Sequence, residues 1–309
     1  EPSTGLDATA RGALADLLRR HCADGGMLLT ITHDLDLARD LGGLVLVMRE
    51  STVVERGEAD VVLSTPTHPY TRRLLDAEPR AWDHPWMRPG PLTDDAPAVL
   101  TATGLSKGFG DGPLFQDVDL TVRVGDRLAL TGPSGSGKTT LGNVLLGLAA
   151  PDTGQVKRAP GLAPGRVQKL YQDPGASFPA RVPLGASLRD VLRRHDVPTA
   201  RLDGLLAELR LPGSLLERRP GEVSGGELQR LAIIRAMLLD PVLLFADEPT
   251  SRLDLVTQEE TIGCLMSQVA EKDCALVLVT HDHTLADAVA DRTLPVGDRG
   301  PALMPTGSR

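Results

Sequence analysis

Aromatic side chains are scarce in this 309-residue chain, at 3%: four Phe, two Tyr and two Trp. Leu, Val and Ala must therefore supply most of any core. Cysteine is almost as rare. Cys22, Cys264 and Cys274 are odd in number and form no CxxC pair, which argues against a disulfide framework or a structural metal site and for free thiols in a reducing compartment. Long apolar runs are missing as well. No stretch approaches the roughly 18–20 residues a membrane-spanning helix needs; residues 43–48 and 275–279 are short and strand-like, and no basic, apolar leader opens the chain. Any membrane association is therefore expected to go through a partner. Basic charge is lacking too. The net charge is −8, so a broad phosphate-backbone footprint is not expected and nucleic acid is not an expected partner. Arg72–Arg73 and Arg218–Arg219 read as solvated faces. What remains is ordinary globular composition, 24% charged and 41% hydrophobic, in a length suited to one large or two ordinary domains.

The chain repeats itself. Glu1-Pro2-Ser3-Thr4-Gly5-Leu6-Asp7 aligns with Glu248-Pro249-Thr250-Ser251-Arg252-Leu253-Asp254, and Leu28-Leu29-Thr30-Ile31-Thr32-His33-Asp34 with the segment ending Val279-Thr280-His281-Asp282. The Glu-to-His separations are 32 and 33 positions, so one insertion reconciles the copies. Each copy shows a helical stretch, such as residues 8–21 with Leu14, Leu17 and Leu18 at helical spacing, then a strand-like apolar run ending in Thr-His-Asp. Helix followed by buried strand is the rhythm of a parallel α/β sheet. The first copy holds only the C-terminal part of the pattern and begins at Glu1, not at a methionine, which suggests an incomplete N-terminus. Between the copies Pro79, Pro85, Pro89, Pro91 and Pro97 accompany both tryptophans, Trp82 and Trp86. Proline at that density predicts an extended linker. The expected organisation is 1–78, a linker at 79–98, and a complete unit at 99–309.

In that last unit a strand at residues 127–131 runs into Gly132-Pro133-Ser134-Gly135-Ser136-Gly137-Lys138-Thr139, a full GxxxxGK[ST] match, followed by Thr140 and a helix with Leu141, Val144, Leu145 and Leu148 on its apolar side. Strand, loop and helix are the context the motif requires. Glycines let backbone N–H groups surround phosphate oxygens, and the helix N-terminus favours the anion. Lys138 brings a mobile cation and Thr139 a hydroxyl for Mg²⁺. A second apolar strand ends in Asp247 and Glu248. Paired acids there can cap the next helix; beside a phosphate loop they suit a Mg²⁺ ligand and a general base.

With these motifs the chain resembles the ATP-binding-cassette (ABC) ATPases, α/β P-loop enzymes with a helical signature subdomain. Val223-Ser224-Gly225-Gly226-Glu227 is similar to the family's signature, with Val223 and Glu227 departing from its commonest form; alone it would read as a serine-capped helix. The resemblance implies that Gln172 senses metal and attacking water, that His281 is the switch histidine at the γ-phosphate, that Asp254 lies in a loop crossing a dimer interface, and that Phe109 stacks on adenine, a core role for Phe109 being the alternative. His281-Asp282-His283 could be mistaken for a metal site, but the matching His33 favours the switch. Residues 99–293 carry the resemblance in full and residues 1–75 in part, without phosphate loop, glutamine or signature. Pro66-Thr67-His68-Pro69-Tyr70-Thr71-Arg72-Arg73-Leu74-Leu75 is similar to the tail of the oligopeptide, dipeptide and nickel importer group. A helix begun by proline and threonine is its plainer reading.

The resemblance implies ATP and Mg²⁺ as cofactors and ATP-driven import at the cytoplasmic face of a cell membrane. Its implied partners are two permease subunits, an extracytoplasmic solute-binding protein and a second ABC ATPase unit, with permease contacts near residues 172–191. A tandem cassette acting on ribosomes or DNA is the alternative from another class; it would want a long basic or coiled-coil insert where this chain has a short proline-rich segment. A non-catalytic regulatory cassette would lack some of Lys138, Asp247, Glu248 and His281, all of which are present.

Overall fold

The computed structural model describes residues 1–3, 5–87, 95–110, 112–163, 165–297 and 304–305. The chain divides into two compact units, residues 1–83 with 251–259, and residues 84–250 with 260–309. The division falls inside the proline-rich segment.

In the first unit α1 (Ala8–Ala23) starts at Asp7, whose carboxylate accepts the Ala10 N–H at 2.9 Å. Asp34 caps α2 (Leu35–Leu41) through the Leu37 N–H at 3.0 Å. β1 (Leu44–Arg49) and β2 (Thr52–Glu58) form an antiparallel hairpin. Its two turn residues, Glu50 and Ser51, both have positive φ, the backbone that matches strand twist in a two-residue hairpin. Two helices, α3 (Ala59–Val62) and α4 (Pro69–Asp76), follow the hairpin. Val47, Ala59, Val62 and Leu63 form its small core against Leu35, Tyr70 and Leu74. The Thr67-His68-Pro69 motif is pinned by Glu55, which accepts the Thr67 N–H at 2.7 Å and the His68 N–H at 3.2 Å. The neighbouring Thr71 hydroxyl, with the hydrogen bonds from the Thr67 N–H and hydroxyl and the His68 N–H, holds the Glu55 carboxyl down to about 2.

The repeat extends to hydrogen-bond geometry. His33 Nδ1 lies 3.0 Å from Glu1 Oε1 and His281 Nδ1 lies 3.1 Å from Glu248 Oε1. Thr32 Oγ1 accepts the Asp34 N–H at 3.0 Å, as Thr280 Oγ1 does that of Asp282 at 3.0 Å. Asp254 accepts the Thr257 N–H at 3.1 Å, as Asp7 does that of Ala10. One expectation fails. Residues 27–31 form no strand, and Met27, Leu29 and Ile31 are 95%, 92% and 76% exposed. A parallel strand needs ladder partners on its edges, and among the described residues the only ladder of this unit is β1–β2. Helix α1 likewise buries only Ala15, with Leu17 exposed.

The second unit opens with β3 (Ala98–Phe109), β4 (Gly112–Arg123) and β5 (Arg127–Thr131), followed by α5 (Lys138–Leu145), β6 (Thr153–Arg158) and β7 (Val167–Leu170). A helical stretch comes next: α6 (Leu184–Arg194), α7 (Thr199–Glu208) and α8 (Gly225–Met237). The chain continues through β8 (Leu243–Asp247), α9 (Leu255–Glu271), which begins among the 251–259 residues of the first unit, β9 (Ala275–Val279), α10 (His283–Val289), β10 (Arg292–Pro295) and β11 (Met304–Pro305). Among the described residues one sheet has the order β11-β10-β5-β9-β8-β7, parallel from β10 to β7, and a second, antiparallel sheet has the order β4-β3-β6. Every residue of β5, β8 and β9 is buried, as parallel strands covered on both faces require. Phe115, Val118 and Leu120 of β4 join Leu128, Leu130, Leu141, Phe245 and Val277 in one core. Helix α5 packs so closely on β8 that a Cβ on Gly142 would stand 1.9 Å from the Phe245 ring. The helix is shorter than its apolar pattern suggests: Gly147 turns at φ +70° and leaves Leu148 64% exposed. No helix among the described residues is long and apolar enough to cross a membrane.

The proline-rich segment is not extended throughout. Pro79–Ala81 and Pro85–Met87 are 3₁₀ turns, which proline tolerates at the first position because the missing N–H has no partner to lose there. Trp82 is buried and donates its indole N–H to the Ala77 carbonyl at 2.9 Å. Pro89 and Pro91 lie outside the described residues.

Candidate functional site

The phosphate loop follows directly from β5. Gly132 has φ +138°, and a Cβ there would sit 2.3 Å from the Val296 carbonyl; Gly137 at φ +95° faces Leu114 and Phe115 as closely as 3.1 Å. Both positions exclude side chains. Lys138, 6% exposed, donates from Nζ to the Gly132 and Pro133 carbonyls, each at 2.7 Å. The Ser136 hydroxyl is buried with no hydrogen-bond partner among the described residues. A cradle closed to Cβ atoms, a buried lysine and an unpaired hydroxyl fit phosphate oxygens. Ser134, Gly135 and Thr140 lie within or next to this loop, and Gly135 also has a positive φ.

The acids stand at the end of β8. Asp247 accepts the Thr139 hydroxyl at 3.0 Å, bringing together two of the three residues expected at Mg²⁺; the third, Gln172, bonds Glu248. Oxygen donors few in number suit a cation that keeps several waters, and the pair fits it; among the described residues no cluster of three or more His, Cys, Asp or Glu offers another site. Glu248 has φ +44°, an uncommon conformation for a residue with a side chain. Its backbone N–H still bonds the Val279 carbonyl at 3.0 Å. The Gln172 amide donates to Glu248 Oε2 at 3.0 Å and His281 Nδ1 lies 3.1 Å from Oε1. The hydrogen bond to His281 holds the Glu248 carboxyl below its ordinary range against the opposing effect of burial, and the same bond raises the imidazole above 6.5. The arrangement is a carboxylate kept ionised and aimed by two neighbours.

Ser224 caps α8: its hydroxyl accepts the Glu227 N–H at 3.3 Å and Glu227 Oε2 accepts the Ser224 N–H at 2.8 Å, a capping box. This reciprocal bond holds the Glu227 carboxyl below its ordinary range. Gly225 and Gly226 form the first turn of α8. Among the described residues no hydrogen bond or ion pair joins residues 224–227 to the phosphate loop. Phe109, at the end of β3, is 63% exposed, which removes the core alternative; Lys107 Nζ lies 5.5 Å from its ring centre. Asp254 caps α9 through the Thr257 N–H and hydroxyl.

No motif singles out Lys169. It sits in β7 with its side chain 9% exposed, 3.2 Å from Asp247 Oδ2, and donates to Asn143 Oδ1 at 2.9 Å. Its ammonium lies 5.2 Å and 5.5 Å from the Tyr171 and Phe245 ring centres. The available signal was a lysine inside a short, partly buried strand three positions before Gln172.

Residues 115–251 match the family model for ABC transporters. The chain is 33% identical over 320 residues to the peptidoglycan transport ATP-binding protein YejF of Agrobacterium fabrum, covering 94% of this chain and 57% of that protein. It is 32% identical over 340 residues to the glutathione import ATP-binding protein GsiA of Salmonella paratyphi A, covering 94% and 55%. The chain thus spans little more than half the length of these curated relatives. Among solved structures, cbiO1 from Clostridium perfringens, part of the ABC transporter complex cbiONQ, superposes with a TM-score of 0.60 at 20% identity, covering 68% of this chain and 88% of that one. These likenesses show the α/β P-loop fold of ABC ATPases.

Proposed function

We propose that this chain, whose second unit has the ABC-type ATPase fold, binds ATP at residues 132–140 and hydrolyses it to drive an importer of the peptide type. The observation that carries the reading is Glu248, fixed between Gln172 and His281 one residue beyond the Thr139–Asp247 pair. Lys138 and the loop amides bind and orient the phosphates. Thr139 and Asp247 would hold Mg²⁺, which would neutralise charge at the phosphates. Glu248 Oε1 and Oε2 stand ready to accept a proton from the attacking water, Gln172 orients that carboxylate, and His281 keeps it ionised. Phe109, exposed at a strand end, suits stacking on adenine.

The peptide type rests on the 66–75 motif and on the names of the relatives, glutathione and peptidoglycan transport. Two permease subunits and an extracytoplasmic binding protein follow as partners, and docking on permeases puts the chain at the cytoplasmic face of the membrane. The groove near residues 165–195, lined by Gln168, Phe178, Ser187 and Val191, suits a permease segment. The first unit is read as related to the C-terminal part of a cassette, on the strength of the paired Glu–His and Asp-cap geometries. In the family a productive site joins the phosphate loop of one cassette to the signature of another, and this sequence holds one of each. Turnover per chain is therefore expected to be low and to rise with protein concentration, as two second units pair. Steady-state ATPase assays over a wide concentration range check this; high turnover independent of concentration, by a chain that sediments as a monomer, contradicts it.

A further inference from the structure

We infer that Lys169 is a positioning residue of the nucleotide site: a built-in cation that holds and neutralises Asp247, so that nucleotide binding depends less on the metal. The inference rests on the nucleotide-site reading above and concerns a residue that no motif of that reading contains.

The two oxygens of Asp247 are divided between two donors. Oδ1 takes the Thr139 hydroxyl at 3.0 Å and Oδ2 faces Lys169 Nζ at 3.2 Å. Lysine and aspartate side chains are 9% and 8% exposed, so solvent screens the pair little. Lys169 has no slack. Asn143 Oδ1 from α5 accepts a second of its protons at 2.9 Å, and the faces of Tyr171 and Phe245 favour a cation between them. β7 and β8 are parallel neighbours, with Lys169 opposite Phe245 in register, so backbone pairing fixes where the ammonium stands. A fixed positive charge beside a carboxylate at a polyphosphate site does two things. It cancels the repulsion that Asp247 would otherwise exert on phosphate oxygens, and it competes with a divalent cation for the same carboxylate. Both effects lower the difference in ATP affinity between metal-free and Mg²⁺-containing solution.

The test is equilibrium binding of a fluorescent ATP analogue to the full chain in EDTA and in saturating Mg²⁺, for wild type and Lys169→Met. The readout is the ratio of the two dissociation constants, which a purely structural role would leave unchanged. Loss of one charge at this range is expected to raise the ratio about tenfold, mostly by weakening metal-free binding, while Lys169→Arg, which keeps the charge, stays near wild type. If Lys169→Met does not fold, Lys169→Gln removes the charge while retaining polar contacts and gives the same comparison. A ratio within twofold of wild type in a folded, charge-free variant overturns the proposal. Failure of the wild type to bind the analogue under either condition instead overturns the nucleotide-site reading on which it rests.

Discussion

Glu248→Gln is expected to retain MgATP binding and to lose hydrolysis by about 10²–10⁴-fold, the usual contribution of a positioned general base. The substitution preserves shape and an acceptor oxygen for the Gln172 amide, which approaches Oε2 at 3.0 Å. It removes the negative charge and the capacity to take a proton. Single-turnover hydrolysis measured beside equilibrium nucleotide binding separates the two effects, and wild-type turnover in the variant would assign the base elsewhere. The same substitution has a spectroscopic consequence. The hydrogen bond that His281 donates to the Glu248 carboxylate is the leading cause of the raised His281 titration, so the imidazole midpoint followed by NMR should lie above 6.5 in the wild type and fall back in the variant. The sign for stability follows from both partners. The raised imidazole contributes fully below 6.5 and loses its contribution as pH rises through its folded value; the lowered carboxyl contributes fully above 4.5 and loses its contribution as pH falls through its folded value. The pair therefore stabilises most between 4.5 and 6.5.

Arg127→Ala is expected to destabilise the second unit by about 3–5 kcal/mol, because it takes a two-pronged ion-pair partner from the buried Asp291 carboxylate. Arg127 Nε and Nη2 reach Asp291 Oδ2 and Oδ1 at 3.1 Å and 2.6 Å, and Nη1 donates to the Trp86 carbonyl at 2.5 Å. The side chains are 10% and 4% exposed, so water cannot replace the lost partner. This ion pair joins the start of β5 to the residue before β10, beneath the phosphate loop's own strand. Denaturant unfolding measures the loss, and the double variant Arg127→Met with Asp291→Leu should recover most of it, since paired removal leaves no orphaned charge. A loss under about 1 kcal/mol in Arg127→Ala would mean that the pair is solvated.

The candidate site residues were legible in the sequence wherever the proposed chemistry demands a residue type at fixed spacing. Gly132 and Gly137 are required by backbone geometry, and Thr139 with Asp247 by the metal they are proposed to share, so a motif locates each of them. Glu248 was legible as the acid ending a strand beside the loop and His281 through the resemblance, and the repeat at Glu1 and His33 supports both. Residues 27–31 misled for a physical reason. Their apolar pattern matches β9 as a string, but a strand is a property of its neighbours, and this unit provides no ladder for it. The prolines of residues 79–87 misled because proline excludes helix interiors yet accepts a 3₁₀ first turn. Lys169 was invisible because its role comes from β7 lying beside β8, a pairing between segments far apart in the chain.

The central claim, that residues 132–139 are a phosphate-binding loop serving ATP, is tested most directly by MgATP affinity in Lys138→Ala. Lys138 Nζ is the buried cation of the loop, resting on the Gly132 and Pro133 carbonyls, and its charge-assisted bonds to phosphate would supply about 1.5–3 kcal/mol. Isothermal titration should show micromolar or comparable binding in the wild type and a loss of about 10–100-fold or more in a folded Lys138→Ala protein. Equal affinity in the two proteins would contradict the account.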